Sequence, residues 1–201
     1  MQLEQLSLDE FTSKIASKDP YPGGGGCSAA LAAMGVSLGD MVVELTVGKK
    51  TYADVEDEMQ AAKLKLLEMR KKFLRLVSQD AEQFEPLSEA YGIPKDDPGR
   101  DEELERCLKL AAATPLEIFE LTCEALDMFD FLAKKGSKLA VSDAATGAAF
   151  LKAALKGAAI NVRANTKLMK DSAYAESLDK QLEEGLAKYG SIADEVFDLI
   201  Y

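Results

Sequence analysis

Apolar residues recur along nearly the whole chain at three- and four-residue steps, and no stretch alternates with the two-residue period of a strand. The spacing predicts an all-α protein, a multi-helical bundle of long, partly interrupted helices forming a single domain over residues 1–201. Ser7 and Glu10 have capping-box spacing and open a short helix to about Lys18. Two prolines and four glycines between Asp19 and Gly26 then break the pattern. From Cys27 to about Thr46 the residues are small and apolar on nearly every side, which predicts a central helix. A long helix from about Tyr52 to Tyr91, kinked near Pro86, follows. The next spans about Glu102 to Lys135, kinks at Pro115 and stops at Gly136. Ser142 or Asp143 caps another that reaches about Lys170, and the last covers about Glu176 to Leu199 with a bend at Gly190.

Composition narrows the chemistry. With 24 basic and 35 acidic residues the net charge is -11, which argues against a duplex nucleic acid or an anionic membrane as partner. At 201 residues about 70% of the unfolded surface can be buried without a metal or disulfide staple. Cys27, Cys107 and Cys123 form no C-x-x-C pair and read as reduced core thiols of a cytoplasmic protein. The first nine residues carry no export signal, and no 18 consecutive apolar residues occur. There is no histidine, which removes Ser-His-Asp and Cys-His nucleophilic sites and HExxH zinc sites together. Acid–base chemistry must then come from carboxylates, Lys, Tyr, Cys or the backbone, and no metal site is expected.

Four features interrupt the packing pattern. Asp80 falls within the apolar series Met59, Leu66, Phe73 and Leu87. A carboxylate there is either paired at a rim or raised in pKa and suited to proton transfer. The turn Pro22, Gly23, Gly24, Gly25 and Gly26 either offers backbone N–H groups to an anion or polar heterocycle, or simply lets two helices cross closely. Lys49 and Lys50 either complement the end of the apolar helix or attract a ligand carboxylate. Asn161 and Asn165, one helical turn apart, either bridge helices or read a polar ligand.

These same positions carry a family resemblance. Pro22-Gly23-Gly24-Gly25, Ala29-Ala30-Leu31 through Leu38-Gly39 and Met41-Val42, and Leu45-Thr46-Val47-Gly48-Lys49-Lys50 resemble the opening of the formimidoyltetrahydrofolate cyclodeaminase family. Asp80-Ala81-Glu82-Gln83-Phe84, Ile93-Pro94-Lys95, Thr114-Pro115-Leu116, Ser142-Asp143 and Asn161-Val162 with Asn165 continue it in order over nearly the whole chain. The family includes the C-terminal domain of formimidoyltransferase-cyclodeaminase and stand-alone bacterial proteins, some of them methenyltetrahydrofolate cyclohydrolases.

The resemblance implies an all-helical homodimer that acts on a one-carbon unit of reduced folate and needs no further cofactor. It assigns Asp80 as the catalytic residue and places the glycine turn, Lys49, Lys50, Ser142, Asp143, Asn161 and Asn165 around the substrate. The implied reaction converts 5-formimidoyl-tetrahydrofolate to 5,10-methenyl-tetrahydrofolate and ammonia. The alternatives are hydration of the methenyl group to 10-formyl-tetrahydrofolate, and a folate-binding bundle without catalysis. One departure stands out: the family usually has serine after the third glycine, where this chain has Gly26.

Overall fold

The computed structural model describes residues 2–200, which form six α-helices joined by short turns. They are α1 (Leu8–Ile15), α2 (Gly24–Glu44), α3 (Glu56–Ala90), α4 (Arg100–Lys135), α5 (Val141–Thr166) and α6 (Ser172–Asp198). The all-α expectation therefore holds, with no strand among the described residues. The expected capping box is present: Ser7 N–H donates to Glu10 Oε2 at 2.9 Å and Glu10 N–H to Ser7 Oγ at 3.3 Å.

Local chemistry shifts several boundaries. The glycines do not all lie in a loop: Gly23 is the N-cap of α2, and Gly24, Gly25 and Gly26 form its first turn. Glycine is poor in helix interiors, but at the first turn the N–H groups lack helical partners anyway and tertiary contacts decide. Ser142 and Asp143 do not cap α5, because the cap position is Ala140 and both residues lie inside the first turn. Asp171 caps α6, accepting from Tyr174 N–H at 3.1 Å, so that helix begins four residues earlier than its periodicity suggests. Pro86, Pro115 and Gly190 all sit within continuous helices.

Sequential helices pack antiparallel. The α2 start lies against the end of α5, where Gly24 abuts Asn161, and Gly35 meets Gly147 and Leu151 further along. Likewise α3 runs back along α2, with Gly26 against Val77 and Lys63 bonded to Glu44 at 2.5 Å. Phe73, Phe119, Phe129, Met59 and Leu66 fill the main core, and a smaller cluster of Leu87, Ala90, Cys107, Leu108 and Ala111 lies beyond it. The central position expected for α2 is seen, since it touches α3, α4 and α5. Among the described residues it alone is long and apolar enough, by length and composition, to cross a membrane; these three neighbours cover much of its apolar surface. One face stays open, however: Met34 is 46% and Met41 47% exposed.

Close approach at the α2–α5 crossing depends on missing side chains. A Cβ on Gly147 would lie 2.4 Å from Phe129 Cε1 and 3.0 Å from the Gly35 carbonyl, and Phe129 is fully buried and cannot swing aside. Gly147→Ala is expected to lose about 1–3 kcal/mol through overpacking, despite better helix propensity. Urea unfolding at neutral pH measures this, and unchanged or increased stability would contradict the packing argument.

Candidate functional site

The α2 N-terminus, the second half of α3, the first half of α4 and the end of α5 meet at one end of the bundle. They enclose a cleft of about 240 Å³ lined by Gly23, Gly24, Gly25, Asp80, Asn161 and Asn165. Tyr21, Phe84, Ala111 and Pro115 complete its walls. Asp80 reaches this position because it lies on α3 between Val77 and Ala81, which enter the main core, and Leu87, which enters the smaller one. The cleft occupies the seam between the two cores.

Asp80 is half-buried and accepts a hydrogen bond from Gly26 N–H at 2.9 Å. This N–H belongs to the first turn of α2, where it has no helical carbonyl and points outward. The glycines make the approach possible. A Cβ on Gly25 would stand 2.2 Å from Asp80 Oδ1, and one on Gly24 2.8 Å from Asn161 Nδ2. The close helix crossing is therefore present at the glycine turn, and Gly23, Gly24 and Gly25 also line the cleft. Burial pushes the Asp80 carboxyl up to about 6, against the lowering effect of the Gly26 hydrogen bond. Cys27, at the next position, has its thiol pushed up by burial and by the charge of Asp80, which keeps it neutral.

The two asparagines sit one turn apart on α5. Asn161 Nδ2 donates to the Gly157 carbonyl at 2.8 Å. Asn165 Nδ2 donates to the Asn161 carbonyl at 2.9 Å and to the Ala111 carbonyl of α4 at 3.3 Å. The bridging alternative is seen for Asn165, whose amide joins α5 to α4, and both asparagines also line the cleft.

The remaining sequence candidates separate into two groups. Pro22 and Gly26 stand directly behind the cleft wall, with Pro22 buried against the space a Gly26 side chain would fill. Lys49 and Lys50 are exposed at the opposite end of α2, and exposed Ser142 and half-buried Asp143 lie at the opposite end of α5. Eighteen helical residues separate Asp143 from Asn161, roughly 27 Å at about 1.5 Å per residue. Both pairs lie at the same end of the bundle, where Thr46 Oγ1 accepts from Ser137 N–H at 2.8 Å and Tyr52 Oη from Lys138 N–H at 3.0 Å. Within one chain they do not reach Asp80. Pro115 and Phe84 were missed as cleft residues, although Phe84 lies one turn beyond Asp80 and Thr114-Pro115-Leu116 was already a conspicuous motif.

A wider groove of about 780 Å³ between α3 and α4 is lined by exposed charged groups such as Lys65, Lys71, Glu124 and Asp127. Among the described residues no three Cys, Asp or Glu side chains converge as a metal-binding set.

The fold and cleft together define a helical bundle in which a carboxylate is held against a glycine-built helix N-terminus beside two asparagines. Comparison with known proteins gives the class its name. Residues 7–184 match the formiminotransferase-cyclodeaminase family, and the chain belongs to that family. It is 33% identical over 198 residues to the methenyltetrahydrofolate cyclohydrolase of Methylorubrum extorquens, covering 96% of this chain and 95% of that one. It is 30% identical over 178 residues to the formimidoyltransferase-cyclodeaminase of Mus musculus, covering 87% of this chain but only 33% of the longer protein. The crystal structure of formiminotetrahydrofolate cyclodeaminase from Thermotoga maritima superposes with a TM-score of 0.83 at 31% identity, covering 98% of this chain and 95% of that one.

The raised carboxyl has a thermodynamic signature. The folded protein keeps this proton up to about pH 6, whereas an unfolded aspartate releases it near about pH 4. Between those values the folded state binds more protons, so the contribution of Asp80 to stability falls as pH rises. Asp80→Asn removes the cost of burying the charge. It is expected to be more stable than the unaltered protein by about 1–3 kcal/mol at pH 8 and indistinguishable from it at pH 3.5. Urea unfolding at both pH values decides, and an equal difference at both would refute a titrating Asp80.

Proposed function

We propose that residues 1–201 form one cyclodeaminase-like domain of a cytoplasmic enzyme that closes 5-formimidoyl-tetrahydrofolate to 5,10-methenyl-tetrahydrofolate and releases ammonia. The observation that carries this reading is the half-buried Asp80, with a pKa near neutrality and a place in the cleft. In this substrate the formimidoyl carbon lies beside the anilino nitrogen of the same molecule, so holding the reactive conformer supplies much of the rate. The formimidoyl group reacts in its protonated, amidinium form: the anilino nitrogen attacks its carbon, a C–N bond forms, and the C=N π pair moves onto the formimidoyl nitrogen, which becomes an amino group. Ionised Asp80 takes the anilino proton and passes it to the amino group of the tetrahedral intermediate. Ammonia then departs with the electrons of the breaking C–N bond, and the amidinium cation of the methenyl product remains. The N–H groups at the start of α2 and the asparagines hold the pterin.

A second reading is supported by the similarity to the Methylorubrum extorquens cyclohydrolase over almost its full length. There Asp80 activates water for attack on the methenyl carbon, and the ring opens to 10-formyl-tetrahydrofolate. Both reactions pass through a tetrahedral carbon between two nitrogens, and one carboxylate serves either.

The proposed enzyme is a homodimer. At about 240 Å³ the cleft of one chain is smaller than the roughly 300–1,000 Å³ of most small-molecule sites, so a folate must extend beyond it. The open face of α2 carries Leu31, Met34, Leu38, Met41 and Leu45 at three- and four-residue steps. Antiparallel packing of this face on its copy brings Lys49, Lys50, Ser142 and Asp143 of the second chain towards the first chain's cleft. The lysines then attract the glutamyl tail, and Asp143 supports the amidinium charge.

Supplying each folate to the purified protein, and following methenyl absorbance as it appears or disappears, separates the two reactions. Asp80→Asn is expected to lower turnover about 10²–10⁴-fold while still binding tetrahydrofolate. In the unaltered enzyme kcat/KM falls as pH drops through about 6, because the base is then protonated. Near-normal turnover by Asp80→Asn removes it from the mechanism. Met41→Glu, on the open α2 face, should convert dimer to monomer in sedimentation, and a dimer that survives it would place the interface elsewhere.

A further inference from the structure

Pro115 sits inside α4 with no N–H to give the Ala111 carbonyl, its partner one turn back. In an uninterrupted helix that carbonyl would already accept one backbone N–H and have only its second lone pair left, as the Asn161 carbonyl inside α5 does. Here it lies on the cleft wall and accepts from Asn165 Nδ2 at 3.3 Å. The second proton of the same amide goes to the Asn161 carbonyl at 2.9 Å. Both amide protons of Asn165 are thus assigned to backbone carbonyls, which can only accept, and the amide cannot flip without losing both bonds. Its Oδ1 accepts no hydrogen bond among the described residues and is not one of the sealed, unpartnered atoms, so it keeps access to solvent, and Asn165 is a residue of the cleft wall.

Adjacent Thr114 is fully buried and donates to Gln83 Oε1 at 2.7 Å, which fixes this turn of α4 against α3 one turn beyond Asp80. The free carbonyl therefore has a defined position.

We infer that Pro115 is a positioning residue: by leaving the Ala111 carbonyl free it locks the Asn165 amide so that the cleft presents an acceptor oxygen to a hydrogen-bond-donating edge of the ligand. Resting on the proposed function, this edge is the N–H side of the pterin, its ring N–H and amino group, and a heterocycle offering only acceptors there is rejected. Discrimination of this kind is strong because a ligand without the donor leaves a fixed acceptor unpaired.

The test is a double-mutant cycle of Pro115→Ala and Asn165→Ala, read with tetrahydrofolate binding and with ¹⁵N-asparagine spectra of the ligand-free protein. Pro115→Ala restores the helical N–H, so the protein should be at least as stable as before. Its Asn165 side-chain NH₂ protons should lose protection from exchange, and tetrahydrofolate should bind about 3–10-fold more weakly. Pro115→Ala added to Asn165→Ala should weaken binding no further, because the amide it positions is already gone. Additive losses would overturn the inference, since they mean that the proline ring acts by direct contact. Unaltered exchange at Asn165 in Pro115→Ala would overturn it too, with no ligand involved. If the unaltered protein fails to bind tetrahydrofolate, the folate reading fails and the pterin assignment falls with it, while the exchange arm still judges the lock itself.

Discussion

A carboxylate pressed against a helix terminus stripped of side chains is the contact on which the functional end of this bundle depends. Asp80 occupies the space that a Cβ on Gly25 would fill and takes the outward N–H of Gly26. The two effects oppose each other. Dehydration makes the charge costly, while the N–H and the positive end of α2 make it tolerable. The balance leaves the carboxyl poised near neutrality, which a surface aspartate with its own lysine would not be. Asp101 shows the contrast: bonded to Lys170 at the surface, it is held below the ordinary carboxylate range.

This arrangement is expensive for stability and the rest of the fold must offset it. It does so away from the cleft, through the α2–α5 crossing at Gly35 and Gly147 and the buried aromatic centre at Phe73, Phe119 and Phe129. The two ends of α2 then serve different purposes. Its start forms the cleft, while its end carries lysines roughly 30 Å away at about 1.5 Å per residue. The two-fold pairing proposed along the open face would resolve that separation, because in an antiparallel pair the end of one helix lies beside the start of its copy.

Much of the fold was legible because amphipathic periodicity survives over long helices. Met59, Leu66, Phe73 and Leu87 are all buried as their spacing requires, and Asp80 was conspicuous as the one acid in that series. Helix ends were less legible. The first turn of α2 is written in glycine, a residue that opposes helix locally, and only contacts with Asp80 and Asn161 explain its presence there. The start of α5 was misplaced for the opposite reason: Ser142 and Asp143 are good capping residues, but the chain turns earlier, at Ala140.

By itself the sequence determined the class, the helix count, the absence of histidine chemistry and the unusual acid at position 80, since each depends on residue type and local period. Tertiary structure decided which of the marked residues share a space. It joined Asp80 to the glycine turn and Asn165 to the carbonyl released by Pro115, and it set Lys49, Lys50, Ser142 and Asp143 at the far end. Periodicity assigns a side chain to a face of its helix, but the meeting of two faces depends on helix direction and crossing, which no local pattern encodes.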